Sequence, residues 1–152
     1  MSMKVVKITD PEIILQVRLD FLATDPLLPE TDEAVLADSI RGYVSKHTAA
    51  GDSVVLAVTD GDVIVSIGFL TVTEMPPNGA VPNGRFGTLL NILTYLEHRR
   101  REYGETLVRA LDEEARGLSV AILDLHATES GAPVYRGSER CRTRPMRMRL
   151  TK

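Results

Sequence analysis

The stretch that decides the fold is TLLNILTYLEHRRREYGETLVRALDEEAR, residues 88–116. Its first part, Thr88–Thr94, is mostly apolar, which predicts a strand in the middle of a sheet. After a basic run, apolar residues recur at helical spacing, at Leu107, Leu111 and Ala115. The stretch therefore predicts a central strand, a basic turn and an amphipathic helix in succession.

The residues before this stretch predict a hairpin preceded by two helices. Two β-branched runs, Ser53–Thr59 and Val63–Thr73, are separated by the turn signal Asp60-Gly61. Further upstream, Asp10-Pro11-Glu12 is typical of a helix start, and that helix should run to about Thr24. A second helix should begin at Asp32 and end before Gly51, after a first strand at Lys4–Ile8.

The residues after it predict another buried strand, Val120–Ala127, then a short helix around Pro133–Tyr135 and a half-exposed strand at Met146–Leu150. The complete order is β-α-α-β-β-β-α-β-α-β. A strand–helix–strand unit implies a parallel crossover, whereas the hairpin implies antiparallel pairing. The fold class is therefore α/β (α+β) with a mixed sheet, in one domain over residues 1–152.

Composition excludes several classes of protein. The net charge of −3 gives no global attraction to nucleic acid or anionic lipid. No apolar run is long enough for a membrane span. The single cysteine, Cys141, rules out an internal disulfide and fits a reducing compartment. His47, His98 and His126 lack metal-ligand spacing. We expect a cytoplasmic protein without a metal.

The turn before the long helix has the chemistry of a phosphate site. A helix N-terminus offers free backbone N–H groups and a partial positive charge. Gly104 allows close backbone approach, and Arg99, Arg100 and Arg101 add charged donors. The alternative is a solvated basic loop that only caps the helix.

With the order of elements, these residues resemble the GNAT family of acetyl-CoA-dependent N-acetyltransferases. The family signature, Arg/Gln-x-x-Gly-x-Gly/Ala, falls here on Arg99-Arg100-Arg101-Glu102-Tyr103-Gly104. The first and last positions fit, and Glu102 replaces the middle glycine. LLNILTYLEHRRR, PPNGAVPNG and LHATESGAPVY look like segments of a bacterial subgroup, so the resemblance covers roughly residues 53–148.

The resemblance implies an acyl-CoA N-acyltransferase-like domain. Its central sheet would be mostly antiparallel, with a splayed parallel strand pair, and flanked by helices. Backbone groups near the end of the central strand would bind the pantetheine arm of acetyl-CoA. The first turn of the following helix would hold its pyrophosphate. The implied cofactor-binding residues are Ile92, Leu93, Thr94, Arg99, Arg100, Arg101, Glu102, Tyr103, Gly104 and Thr106.

Two residues are candidates for acid–base chemistry. Tyr135 falls at the position of the family's tyrosine, which protonates the leaving thiolate of CoA; the alternative is a packing role at a helix end. The family's following Gly-Phe pair is replaced here by Glu139-Arg140. Glu74, at the end of the hairpin, is the candidate general base, and the alternative is a solvated strand end.

Two further features have open interpretations. Asn91 in the central strand either binds substrate or satisfies a buried backbone group. The C-terminal segment from Arg136 to Lys152 is strongly basic. Three roles are open for this segment: protecting an edge strand, binding the 3′-phosphate of CoA, or binding nucleic acid. The net charge and the few aromatic residues disfavour nucleic-acid binding.

These features predict an acetyl-CoA-dependent N-acetyltransferase that acts on a primary amine of a small molecule or peptide. The resemblance also suggests a homodimer, with no nucleic-acid or membrane partner. The alternative function is a catalytically degenerate CoA-binding or interaction module. That alternative follows from Glu102, whose carboxylate favours the helix N-terminus by roughly 0.3–1 kcal/mol but repels a pyrophosphate.

Overall fold

The structure is a computed structural model that describes residues 3–24, 29–95 and 101–125. The predicted helix around Pro133–Tyr135 and the predicted strand Met146–Leu150 lie outside these residues. The described elements, in chain order, are β1 (Met3–Ile8), α1 (Pro11–Leu22), α2 (Glu33–Ala50), β2 (Ser53–Asp60), β3 (Val63–Glu74), β4 (Arg85–Thr94), α3 (Arg101–Gly117) and β5 (Ile122–Leu125).

The sheet is mixed, as predicted. Its described strands lie in the order β1-β2-β3-β4-β5. The first three pairings are antiparallel, and β5 joins β4 in parallel after the α3 crossover. The predicted central position of β4 is therefore confirmed. In its described part β5 is half-buried rather than buried as predicted.

Local signals set both ends of α2 and the start of α1. The Asp10 side chain accepts a hydrogen bond from the Glu12 N–H at 2.9 Å, and Pro11 occupies the first helical position. Asp32 caps α2 in the same way, and Gly51 ends it with a left-handed φ of 76°. These boundaries confirm the predicted helices. The second-helix sequence has Leu36, Ile40, Tyr43 and Val44 at the spacing of one apolar face, but Tyr43 is 41% exposed.

The β2–β3 hairpin differs from its prediction by one residue. Asp60 pairs with Val63, so the two loop residues are Gly61 and Asp62, not Asp60-Gly61. Gly61 has a φ of +62°, which glycine adopts without strain. Gly61 is therefore the first loop residue, and Asp60 is the last residue of β2.

The sheet separates two apolar layers. One layer packs α3 on the sheet and includes Leu107 and Leu111, both fully buried. The other packs α1 and α2 on the opposite face and includes Ile14, Val44 and Ile67. The architecture is therefore three-layered. Among the helices of the described residues, none is long and apolar enough to cross a membrane.

Candidate active site

A bulge interrupts β4 near its end. Phe69 of β3 pairs with Leu90, but Ile67 pairs with Leu93, so Asn91 and Ile92 together face the single residue Gly68. Such an extra residue bends a strand and re-aims its side chains. Asn91 carries the strain, with a φ of +57°, a region that asparagine tolerates better than most residues.

Gly68 makes room for this bulge. A Cβ at Gly68 would overlap Ile92 Cδ1 and would lie 3.0 Å from Leu111 Cδ1. Both contacts are with side chains in the α3 layer. The bulge, the glycine and the helix therefore form one packed unit.

The Asn91 side chain is almost completely buried and only half satisfied. It is 1% exposed, and its Oδ1 accepts a hydrogen bond from Arg18 Nη1 at 3.3 Å. Its Nδ2 is buried and has no hydrogen-bond partner among the described residues. Because arginine can only donate, the atom that faces Arg18 must be the oxygen, which fixes the orientation of the amide. A buried donor is thus left over at the bulge.

Arg18 brings a half-buried guanidinium to the same place from α1. Burial lowers the pKa of Arg18, and the nearby phenol of Tyr43 partly offsets this effect. The ion pairs of the described residues involve other cations, and none includes Arg18. This cation is therefore partly desolvated without a described carboxylate beside it.

Hydroxyl groups hold the end of β4 after the bulge. The buried Ser66 Oγ donates to the Leu93 carbonyl at 3.1 Å and lies 3.0 Å from Thr94 Oγ1. Since the serine proton is already used, the Thr94 hydroxyl donates to Ser66. The described pairing with β5 covers only Phe86–Leu89. The predicted pantetheine contacts, Ile92–Thr94, lie beyond that pairing.

The first turn of α3 is anchored to β2. Tyr103 is 6% exposed, and its hydroxyl donates to Asp60 Oδ2 at 2.9 Å. Gly104 is buried and Glu102 is exposed. Arg101 is the first residue of the helix, whereas Arg99 and Arg100 lie outside the described residues. The side chain of Tyr103 therefore has a packing role, which leaves only its backbone for a ligand.

Thr106 faces β1. Its Oγ1 lies 3.9 Å from Met3 Sδ, a weak contact at the edge of the sheet. Its predicted contribution to a pyrophosphate site stays a prediction.

Of the two predicted acid–base residues, the structure describes only Glu74. Glu74 ends β3, pairs with Arg85 in the strand register and lies 3.6 Å from its guanidinium. Asn91 lies six positions after Arg85 in β4, which corresponds to about 20 Å along a strand. Glu74 is therefore out of direct or one-water reach of the bulge. Tyr135 lies outside the described residues.

A carboxylate and a phenol border the α1 side of the β4 end. Burial raises the pKa of Tyr95, and the nearby Asp20 carboxylate raises it further. Tyr95 therefore keeps its proton at neutral pH. Asp20 Oδ1 also accepts a hydrogen bond from Gln16 at 2.8 Å. The acidic group at this end of the strand is Asp20, which sequence reasoning did not single out.

A groove of about 580 Å³ lies elsewhere, between β1 and the C-terminal half of α3. Its lining includes Lys7, Glu114 and Leu118, and Lys7 pairs with Glu114 at 3.0 Å. Neither the bulge nor the first turn of α3 lines it. Its position does not coincide with the chemistry described above.

Comparison with known proteins is informative at the level of structure. No protein-family model and no curated protein matches the sequence. A predicted acetyltransferase with acetyl-CoA from Clostridium acetobutylicum superposes with a TM-score of 0.85 at 20% identity, over 99% of this chain and 96% of that one. A GCN5-related N-acetyltransferase from Ralstonia eutropha gives 0.81 at 24% identity, over 98% and 99%.

The chain has the GNAT fold. Glucosamine-6-phosphate N-acetyltransferase from Arabidopsis thaliana is also similar, with a TM-score of 0.70 at 10% identity over 100% of both chains. The fold class that the sequence predicted is thereby confirmed. At these identities the likeness is one of fold, and the chemistry must be argued from this chain's own residues.

Sequence reasoning did not single out Arg18, which contacts Asn91 at the bulge. The helical spacing in α1 is a sequence signal that could have indicated Arg18. Arg18 follows the buried Ile14 by four residues, which places both on the same face of α1. A charged residue on the inward face of an amphipathic helix is a candidate for function. Its contact with Asn91, 73 residues away, has no sequence signal.

Proposed function

We propose that this chain transfers an acetyl group from acetyl-CoA to a primary amine of a small molecule or peptide. The observation that carries the proposal is the bulge at Asn91, next to a strand end and a helix N-terminus, in a chain with the GNAT fold. The similar protein from Clostridium acetobutylicum was crystallised with acetyl-CoA, which supports the same cofactor here.

The donor groups of the chain fit acetyl-CoA in two places. The backbone of Ile92, Leu93 and Thr94 would hold the pantetheine arm. The first-turn N–H groups of Arg101–Gly104 would hold the pyrophosphate, because a helix N-terminus favours anions. Glu102 opposes the second interaction, since its carboxylate repels the pyrophosphate. Bound acetyl-CoA supplies the thioester carbonyl that the amine attacks.

The chain's own residues would orient the backbone groups at the end of β4 and protonate the leaving sulfur. The Ser66–Thr94 hydrogen bond fixes the end of β4, so that its backbone groups keep their direction. Tyr135 is proposed to deliver a proton to the leaving sulfur, on the basis of the resemblance. Glu74, the predicted base, is too far along the sheet from the bulge for direct proton transfer.

The proposal includes the domain organisation, localisation, oligomeric state and partners of the chain. The chain would act as one domain over residues 1–152, in the cytoplasm, as a homodimer, without nucleic-acid or membrane partners. A second function, a CoA-binding module without turnover, is favoured by one observation: the exposed Glu102 occupies the first turn of α3.

Binding and turnover separate these functions. Acetyl-CoA at 100 times its dissociation constant should stabilise the protein by about 2.7 kcal/mol, seen as a rise in melting temperature. Release of free thiol in the presence of a panel of amines should follow if the chain is an enzyme. Stabilisation of the protein by acetyl-CoA without amine-dependent release of thiol would support the CoA-binding module without turnover. No stabilisation would contradict both.

A further inference from the structure

The starting observation is a cation that the described fold leaves without a counter-ion. Arg18 is half-buried at the α1 side of the β4 bulge, where its one hydrogen bond within the described residues goes to the neutral Asn91. A desolvated guanidinium is costly unless an anion or several acceptors compensate it. Its other N–H donors make no hydrogen bond to the part of the chain that the structure describes, and a ligand could use them.

A second donor lies next to the first. Asn91 Nδ2 is buried and has no partner within residues 3–24, 29–95 and 101–125, while Oδ1 of the same residue accepts from Arg18. Leaving such a group unsatisfied costs stability. The strained φ of Asn91 keeps this amide at the bulge. Two sets of N–H donors therefore belong to one small site, at the end of the strand proposed to hold the thioester.

The charges at this site favour a carboxylate over a phosphate. A phosphate monoester carries about −1.5 to −2 charges at neutral pH, whereas the site offers one guanidinium. Asp20, near Tyr95, adds negative charge on the same side of β4. A singly charged carboxylate accepts a forked pair of hydrogen bonds from arginine and needs no second cation.

We propose that Arg18 and Asn91 bind the carboxylate of the acceptor, so that the substrate is an amine that also carries a carboxyl group. This assignment rests on the proposed acetyl transfer and adds the substrate class. Arg18 would set specificity through the charge, and Asn91 would position the carboxylate relative to the strand.

The test uses pairs of amines that differ only in the carboxylate. Glycine, β-alanine and γ-aminobutyrate are each compared with their amides, and phosphoethanolamine with ethanolamine is the phosphate arm. Thiol release with acetyl-CoA gives kcat/KM. Calorimetric titration of the protein with CoA present gives binding of the same compounds independently of turnover.

Variants link any preference to the proposed residues. Arg18→Gln should lower the affinity for the preferred carboxylate by about 10- to 100-fold and leave its amide unchanged, because a hydrogen bond to a charged group is lost. Arg18→Lys should recover part of it. Asn91→Gly tolerates the positive φ and removes the whole side chain, including the amide. Arg41→Gln, on the exposed surface of α2, is the matched control.

Each outcome decides one question. A carboxylate preference that Arg18→Gln abolishes, in turnover or in binding, supports the assignment. Carboxylate binding without thiol release keeps the assignment and contradicts the proposed transfer. Four outcomes would overturn the assignment. They are equal use of acid and amide, a carboxylate preference that survives in Arg18→Gln, a preference for phosphoethanolamine, and no binding of any carboxylate. The first three of these leave the transfer itself standing.

Discussion

At the scale of single residues, Asn91 and Arg18 illustrate what a sequence conveys and what it does not. Asn91 was singled out as a polar residue within an apolar strand, with two open interpretations. Its side chain satisfies no backbone group among the described residues and instead accepts from Arg18. That finding favours a ligand role. The contact depends on tertiary packing of α1 against β4, which no local pattern encodes.

Gly68 gives the first residue-scale prediction. Gly68→Ala should lower the free energy of unfolding by about 1–3 kcal/mol, because its Cβ would overlap Ile92. Gly42→Ala is the matched control: it lies within α2 with nothing in reach of a Cβ, and should stabilise by about 0.5–1 kcal/mol. Urea unfolding measures both. Equal effects of the two substitutions would contradict the packing of the bulge.

At the scale of elements, α3 is held by its first turn. Tyr103 donates to Asp60 Oδ2, while Asp60 Oδ1 is buried and none of the described residues donates to it. Tyr103→Phe should therefore destabilise the protein by about 1–3 kcal/mol, since the carboxylate loses a buried donor. Tyr43→Phe, at an exposed tyrosine, should change stability by less than about 0.5 kcal/mol. Chemical denaturation of both variants checks this, and an unchanged Tyr103→Phe would contradict it.

Glu102 gives a second prediction for the same helix. Glu102→Gly should tighten acetyl-CoA binding about two- to five-fold by removing a like charge from the helix N-terminus. It should also cost about 1 kcal/mol of stability through the lost first-turn acid and the added glycine. Glu33→Gly makes the same change in the first turn of α2 and should cost stability alone. Unchanged affinity in Glu102→Gly would refute the electrostatic argument.

The elements themselves were predictable where the signals are local. Asp10, Asp32 and Gly51 set helix boundaries through hydrogen bonds and φ values that involve only neighbouring residues. The hairpin was correct in kind but shifted by one residue, because the pairing register and not the turn motif decides which residues form the loop. The position of Glu74 relative to the bulge depends on the same register, while its role as a base stays a prediction.

At the scale of the whole molecule, the mixed three-layer fold follows from the order of elements and agrees with the similar solved structures. The homodimer is proposed from the resemblance alone. It predicts a sedimentation coefficient that corresponds to twice the chain mass at micromolar concentration. A monomer across a concentration series would contradict it, and would leave the acetyl-transfer proposal untouched.

The most direct test of the central claim is identification of the acetylated amine. The wild-type protein is incubated with acetyl-CoA and the amine panel, and mass spectrometry of the product is compared with the free thiol released. Acetyl transfer predicts equal amounts of acetylated amine and thiol, with no product when the protein is omitted. Thiol without acetylated amine, or acetyl-CoA binding with neither product, would contradict the account.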